Sequence, residues 1–340
     1  MKVLIAGGCG FIGSNLSLFL KKNNYEVFSI DNLYRNGSIL NEKKLKENQI
    51  KNLRLDIKNL SKKKISKFDI IIDCCAEPSV EASKTALDRV INTNLIGTYQ
   101  LLKKCTKDNS HFIFMSTSRV YCINEVKNII KNKNLNKKII CKKTIDTKFS
   151  TAAPRSIYGY TKLASEELIK EFSYLFNLKY IINRLGVVAG PGQMGKEDQG
   201  FVSLWMWKHI NKLPLKYIGF GGHGNQMRDI LHVNDVNRLV LIQIKRFKKL
   251  NNFTIAAGGG VKNLISLKDL TLICQKITGN KIPFSKIKKT SLYDIPYFCT
   301  SNTLAYKFYK WKPKLNILDI IHDTFKWQKN NFKILKKYLN

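Results

Sequence analysis

The stretch "KVLIAGGCGFIGSNLSLFLKKNNYEVFSIDNL" (residues 2–33) constrains the fold more than any other part of the chain. Val3–Ala6 is a short apolar run cut off by glycines, the pattern of a strand buried on both faces of a parallel sheet. Gly7, Gly10 and Gly13 follow as G-x-x-G-x-x-G, then Ile12, Leu16 and Leu20 recur at helical spacing, and a second apolar run ends in Asp31. Strand, glycine turn, amphipathic helix, strand and acidic residue together predict a dinucleotide-binding unit. The turn needs backbone conformations closed to side chains; a side chain at the second glycine would block the pyrophosphate, and one at the third would push the helix off the sheet. The phosphates then meet free N–H groups at the helix N-terminus. Asp31 can accept hydrogen bonds from both adenosine ribose hydroxyls and repels a 2′-phosphate, which favours NAD over NADP; a capping or turn aspartate is the alternative. Arg35 complicates this choice, because a guanidinium so close could receive that phosphate.

Apolar strands recur at "NLRLDI", "DIIIDCCAE" and "HFIFMSTSRV", with helical patterns between them, including Asn94–Lys104. This alternation predicts an α/β fold with a doubly wound parallel (Rossmann) sheet whose ligand lies at the carboxyl ends of the strands. Asp56, directly after the third strand, could meet the adenine amino group or serve as a surface cap. From about residue 183 the alternation loosens into "NRLGVVAGPGQMGKEDQGFV", which reads as a long ordered loop of a functional kind. We expect a dinucleotide-binding domain over 1–182 and a smaller mixed α/β substrate lobe over 183–340, with the chain free to cross back between them. Trp205 and Trp207 read as helix packing, and His232 and Asp235 as residues that position the next helix, Asp235 as its N-cap.

Composition narrows the class. At 340 residues and 44% hydrophobic, the chain can bury a large core. It shows neither a charged and apolar leader pattern nor an apolar stretch of bilayer length, so a soluble cytoplasmic protein without a membrane partner is expected. Eight cysteines and five histidines are dispersed without metal-ligand spacing, and no metal site is expected. The formal charge of +35 comes almost entirely from lysine, in runs such as "NEKKLKEN" and "SKKKISK". Without interleaved arginine and aromatic residues these runs read as solvated surface rather than a nucleic-acid site, although they would steer anionic small substrates inward.

The segment "FSTAAPRSIYGYTKLASEE" (149–167) carries the chemistry. On a helix, residues four apart share a face, so Tyr158 and Lys162 are neighbours and Tyr160 points away. A phenol titrates near pH 10, too high for a base at neutral pH, and a nearby ammonium favours the phenolate. A third polar group must hydrogen-bond the substrate oxygen, and Ser116-Thr117-Ser118 at the end of the "HFIFMSTSRV" strand is placed to supply it.

With "GGCGFIGSN", "DNLYRNGS", "EPSV", "NTNLIGT", "MSTSRVY", "STAAPRSIYGYTKLASEE", "EDQGFV", "GNQMRDILHVNDV", "AAGGG" and "YKWKP", the chain resembles the extended short-chain dehydrogenase/reductases from residue 1 to about 330. More narrowly it resembles the NAD-dependent nucleotide-sugar epimerases typified by CDP-paratose (CDP-tyvelose) 2-epimerase. The resemblance implies a catalytic set of Thr117, Tyr158 and Lys162. Around NAD it implies Gly7, Gly10, Phe11, Ile12 and Gly13, then Asp31, Asn32, Asn36 and Gly37, then Asp56, Ile57, Ala76 and Asn94, besides Tyr158 and Lys162. For the sugar nucleotide it implies Ser118, Gln199, Phe201, Val202, Gln226 and Arg228, with Arg228 on the pyrophosphate. In 4,6-dehydratases of this superfamily Asp-Glu follows the threonine; Ser118-Arg119 stand there instead, so epimerisation or reduction is expected rather than elimination. The expected activity is epimerisation by transient oxidation to a keto sugar, with a UDP-sugar 4-epimerase, or a non-catalytic NAD-sensing or RNA-binding protein, as alternatives. The family resemblance also implies a homodimer or higher homo-oligomer. Cys122 replaces a glycine usual after "VY", Ser301 an aspartate, and the lysine-rich residues 123–145 match nothing in the family pattern.

Overall fold

The computed structural model describes residues 1–79, 85–131, 133–137, 139–197 and 199–339. The chain forms two compact units. The first comprises Met1–Val120, Ser156–Leu185 and Val236–Ile255, and the second Tyr121–Arg155, Gly186–Asp235 and Ala256–Asn340.

In the first unit β1 (Lys2–Ala6), β2 (Glu26–Ile30), β3 (Lys51–Leu53), β4 (Ile70–Asp73), β5 (His111–Thr117) and β6 (Tyr180–Leu185) lie in the order β3-β2-β1-β4-β5-β6. Each neighbouring pair is parallel, and β10 (Phe253–Ala257) adds beyond β6. The Rossmann expectation holds. The strand order reverses between β1 and β4, and Ala6 is in register with both Ile30 and Asp73, so the glycine turn emerges between the carboxyl ends of β2 and β4. Leu4, Ile71, Phe112, Phe114 and Ile182 are buried in one cluster with Leu101 and Leu102, which is why these strands read as continuous apolar runs. The flanking helices are α1 (Phe11–Lys22), α2 (Ser38–Glu47), α3 (Leu87–Ile91) and α4 (Gly97–Asp108), the last two joined by a π-helical turn over Asn92–Ile96.

Past the short α5 (Ile123–Asn128) of the second unit, α6 (Ile157–Phe176) returns to the first. Ser156 caps its start, accepting the Gly159 N–H at 3.1 Å, and Asn177, left-handed at φ 55°, ends it. Its buried residues Tyr158, Thr161, Lys162, Ser165, Glu166 and Ile169 keep a spacing of three and four, yet all but one carry a polar atom. Such a face is stable only if its polar groups are paired. The Ser165 hydroxyl donates to the carbonyls of Thr161 and Asn94, each at 2.9 Å. Glu166, fully buried, meets the Arg184 guanidinium of β6 at 2.7 Å and accepts the Ser116 hydroxyl.

In the second unit β9 (Met227–His232) pairs with β7 (Val187–Ala189) and β13 (Tyr297–Phe298) in parallel and with β11 (Leu264–Ser266) antiparallel, while β8 (Leu215–Ile218) pairs with β12 (Phe284–Ile287). A core that includes Val202, Met206, Leu270, Cys274 and Ile320 gathers α7 (Phe201–Ile210), α9 (Leu267–Thr278) and α11 (Ile317–Asn330). Shorter α10 (Thr303–Tyr309) and α12 (Phe332–Leu339) complete it, and α8 (Val233–Arg246) carries the chain from this unit into the first. The lysine-rich insertion buries Ile130 and Ile139 against Met227, Tyr297 and Cys299. It is pinned by the Tyr297 hydroxyl on the Lys143 carbonyl (2.7 Å) and the Ile145 N–H on the Cys299 carbonyl (2.8 Å). Asp235 is not a helix cap as expected: it lies inside α8, and its carboxylate accepts the N–H groups of Lys314 and Leu315 at 3.0 and 3.1 Å. His232, the residue before that helix, takes the capping part, its Nδ1 accepting the Asn234 N–H at 2.9 Å. Among the described residues no helix is long and apolar enough to cross a membrane.

Replacing Arg184 by Met leaves the Glu166 carboxylate buried without its counter-charge. We expect a loss of about 3–5 kcal/mol in urea unfolding, with much of it recovered in the Arg184→Met/Glu166→Leu double variant.

Candidate active site

The glycine turn is held in shape by Asp31. One carboxylate oxygen accepts the Cys9 N–H at 3.0 Å and the other the Leu33 N–H at 2.8 Å. Burial raises its pKa, against the opposing pull of the backbone N–H groups of Leu33, Cys9 and Gly10. At Gly13 an added Cβ would stand 2.1 Å from the Gly7 carbonyl oxygen, so the helix can meet the turn only without a side chain there. Gly10 is the N-cap of α1 and no side chain caps that helix, which leaves first-turn N–H groups of the kind a pyrophosphate accepts. These residues fit a dinucleotide.

Other predicted cofactor residues take more structural places. The Asn32 side chain donates to Asp56 at 3.2 Å, and Asp56 caps a 3-10 turn through the Lys58 N–H at 3.1 Å, the cap that was its alternative reading. Gly37, left-handed at φ 87°, opens α2 just after the exposed Asn36. Ile57 is buried in the core, where Gly97 leaves room for its side chain. Asn94 is fully buried in the π-helical turn, and its amide exchanges hydrogen bonds with the Glu77 backbone (2.8 and 3.3 Å) and donates to Thr161 (3.1 Å). Those bonds tie the turn to the Glu77 backbone and to α6; π turns of this sort recur at functional sites.

Tyr158 lies at the start of α6, packed against Val90 and Ala76, and the Thr117 side chain hydrogen-bonds it. Two of the three expected catalytic groups thus meet directly. Burial pushes the phenol above its ordinary pKa; the Thr117 hydrogen bond opposes this first, then the charges of Arg119 and Arg35. Lys162, 1% exposed, is turned elsewhere: its ammonium reaches the Cys75 carbonyl at 3.5 Å and lies 4.0 Å from the centroid of the Phe114 ring. Burial lowers its pKa and Asp73 is the main opposing charge, while burial raises Asp73 and Lys162 opposes that. In the protein alone burial outweighs the charges that favour the phenolate at Tyr158, those of Arg119 and Arg35 among them. Tyr160 is half exposed, at 53%, as its helical position requires.

Gly159 brings these elements together, since a Cβ there would lie 2.1 Å from the Arg119 carbonyl oxygen. The first turn of α6 therefore sits directly on the 3-10 turn Ser118–Val120. Sequence reasoning missed Asp73 and gave Glu77 no role, although each acid stands at or just past the end of an apolar strand where a ligand-facing loop begins. Glu77 pairs with Arg35 at 2.7 Å and with Arg89 at 3.0 Å.

Within the second unit, Arg228 on β9 donates to Asp294 at 3.0 Å and to the carbonyls of Met227 and Ile295. Gln226 donates its amide to the Ile218 carbonyl at 3.1 Å, and its buried Oε1 meets no partner among the described residues. The Gln199 backbone pairs with that of Lys196, and Phe201 opens α7 edge-on to Trp205. Val202, at 1% exposure, belongs to the core rather than to any surface, as do Trp205 and Trp207.

A parallel sheet with a dinucleotide turn and a Tyr-x-x-x-Lys helix beside it defines a class of α/β proteins built for hydride chemistry. The model of the NAD dependent epimerase/dehydratase family matches residues 3–256, and the chain belongs to that family. It is 26% identical over 339 residues to a CDP-paratose 2-epimerase from Salmonella typhi, covering 96% of this chain and 99% of the relative. It is equally 26% identical over 339 residues to a putative UDP-glucose 4-epimerase from Methanocaldococcus jannaschii, covering 97% and 99%. Among solved structures it is similar to the UDP-glucuronic acid 4-epimerase from Bacillus cereus in complex with UDP-glucuronic acid and NAD, with a TM-score of 0.81, 25% identity and coverage of 97% and 99%. The Thermotoga maritima UDP-glucose 4-epimerase with UDP-glucose shares the fold at a TM-score of 0.82 and 24% identity, covering 98% and 100%.

Gly159→Ala should force α6 off the Ser118–Val120 turn, because the clashing atom is backbone and cannot swing aside. Thermal or urea unfolding should show a loss of about 1–3 kcal/mol.

Proposed function

We propose that this protein is an NAD-dependent epimerase of a nucleotide-linked sugar, most like the CDP-paratose 2-epimerases. The observation that carries this reading is the Thr117–Tyr158 hydrogen bond at the end of β5, with Lys162 buried on the same face of α6. Tyr158 takes the proton of one sugar hydroxyl as that carbon is oxidised and returns it after the keto sugar has presented its other face. NAD, when bound, supplies the reversible hydride acceptor. Thr117 holds the same sugar oxygen and, through its bond to the phenol, favours the deprotonated form. Ser118 and Arg119 follow Thr117, so no carboxyl group stands there to protonate a leaving hydroxyl. Asp31 accepts the adenosine ribose hydroxyls and the glycine turn the pyrophosphate.

On the sugar nucleotide, Gln226 contributes an acceptor. A carbonyl can only accept, so the Ile218 oxygen fixes which end of the amide faces it and leaves Oε1 for a ligand donor. Arg228 presents its guanidinium to the diphosphate from a frame set by Asp294. Contacts to the nucleotide anchor the substrate while the sugar turns, so remote binding energy serves the reacting carbon. A UDP-sugar 4-epimerase is the second reading, favoured by the Methanocaldococcus relative at the same identity as the CDP-sugar one; it uses the same groups on another carbon.

Nucleotide released by denaturing the purified protein should be NAD in near-stoichiometric amount; an empty site, with turnover dependent on added NADPH, would favour a reductase. NMR of the protein with CDP- and UDP-hexoses, without added cofactor, should show one of them equilibrating with its epimer. Tyr158→Phe should slow that conversion by about a hundredfold or more. Thr117→Ala should move the rising limb of the pH–kcat/KM profile to higher pH, because the hydrogen bond that lowers the phenol pKa is lost.

A further inference from the structure

We infer that Glu77 sets the cofactor preference of this protein by holding Arg35 in an ion pair, so that the guanidinium on the loop after Asp31 is withheld from a 2′-phosphate. The inference rests on the dinucleotide reading of the glycine turn and concerns what Asp31 alone would leave open. Arg35 stands four residues beyond Asp31, a separation of at most about 14 Å even if the chain were extended. It is shorter here, because the Leu33 N–H returns to the Asp31 carboxylate at 2.8 Å and Leu33 is left-handed at φ 57°. An arginine on this loop is the group that receives the extra phosphate in NADP-binding sites.

Here that arginine is engaged. Glu77 Oε1 lies 2.7 Å from Arg35 Nη2, while Oε2 accepts Arg89 Nε at 3.0 Å. Arg89 in turn donates to the Tyr34 hydroxyl at 2.6 Å and lies 5.0 Å from the centroid of its ring, so residues 34 and 35 are both tied to α3 and the loop after β4. The Glu77 side chain is 7% exposed and that of Arg35 35%, so the carboxylate end of the pair is shielded from water while the guanidinium end reaches the surface. Its backbone is fixed as well: Asn94 accepts its N–H at 2.8 Å and donates to its carbonyl at 3.3 Å, and Asn94 is anchored on Thr161 of α6. Asp31 repels the 2′-phosphate, and Glu77 engages the loop arginine that could compensate for that repulsion; Arg54, which follows Leu53 beside Asp31, is likewise paired, with Glu42.

The test is a competition read without turnover. Wild-type and variant proteins are equilibrated by dialysis against equal concentrations of NAD+ and NADP+, separated from free nucleotide and denatured, and the released cofactors are quantified. Wild type should retain NAD+ almost alone. Glu77→Gln should raise the NADP+ to NAD+ ratio about tenfold or more, because one good charge–phosphate contact becomes available. Adding Arg35→Ala to that variant should return the ratio to the wild-type value. Should Glu77→Gln fail to fold, Glu77→Asp keeps the charge for Arg89 but shortens the reach to Arg35, and should shift the ratio in the same direction by less. A wild-type ratio in Glu77→Gln, or in Glu77→Asp where that is the folded variant, would overturn the proposal, as would a gain that persists without Arg35. Wild-type protein that retains neither nucleotide would overturn the cofactor reading itself, and the inference with it.

Discussion

An ammonium group buried to 1% exposure is the constraint around which the first unit is organised. Lys162 has no water to solvate its charge, so the protein must supply the carbonyl of Cys75, the face of Phe114 and the nearby charge of Asp73. Asp73 in turn accepts the Thr98 hydroxyl at 2.7 Å and the Cys75 N–H at 2.9 Å. The carboxyl end of β4, helix α4 and helix α6 are therefore tied through one polar cluster. A helix so tied has little freedom to rotate, and Tyr158, one turn earlier on the same face, takes its place from that restraint.

Two contacts at van der Waals limits complete the arrangement. Gly13 lets α1 meet the glycine turn, and Gly159 lets α6 meet the turn after β5; in both, the neighbour is a backbone carbonyl. Backbone cannot move aside as a side chain can, so these positions fix the spacing between helix starts and strand ends. The loops after β2 and β4 are then joined by charge rather than by packing, through Glu77 and its two arginines. Polar networks of this kind give geometry more than stability, because each buried charge must first be desolvated.

The charge of +35 takes on a limited meaning in this setting. In the insertion, Ile130 and Ile139 are buried while Lys142 and Lys143 are exposed, and the Lys143 carbonyl accepts the Tyr297 hydroxyl. The segment is thus an ordinary amphipathic addition to the second unit. Its field, summed with that of the other lysines, favours anionic ligands such as sugar nucleotides without demanding a nucleic acid.

The sequence by itself determined the parallel sheet, the glycine turn with its closing Asp31, and the helix face that Tyr158 shares with Lys162 and not with Tyr160, because each rests on local periodicity or on spacing along one element. Only the tertiary structure decided what lies opposite those residues. That Asn94 is buried and bonded to Glu77, that Arg35 is paired, that Asp235 holds residues 314 and 315, and that burial outweighs charge at Tyr158 all depend on contacts between segments far apart in the chain. Desolvation is a property of the assembled surroundings, and no pattern of neighbours in sequence records it.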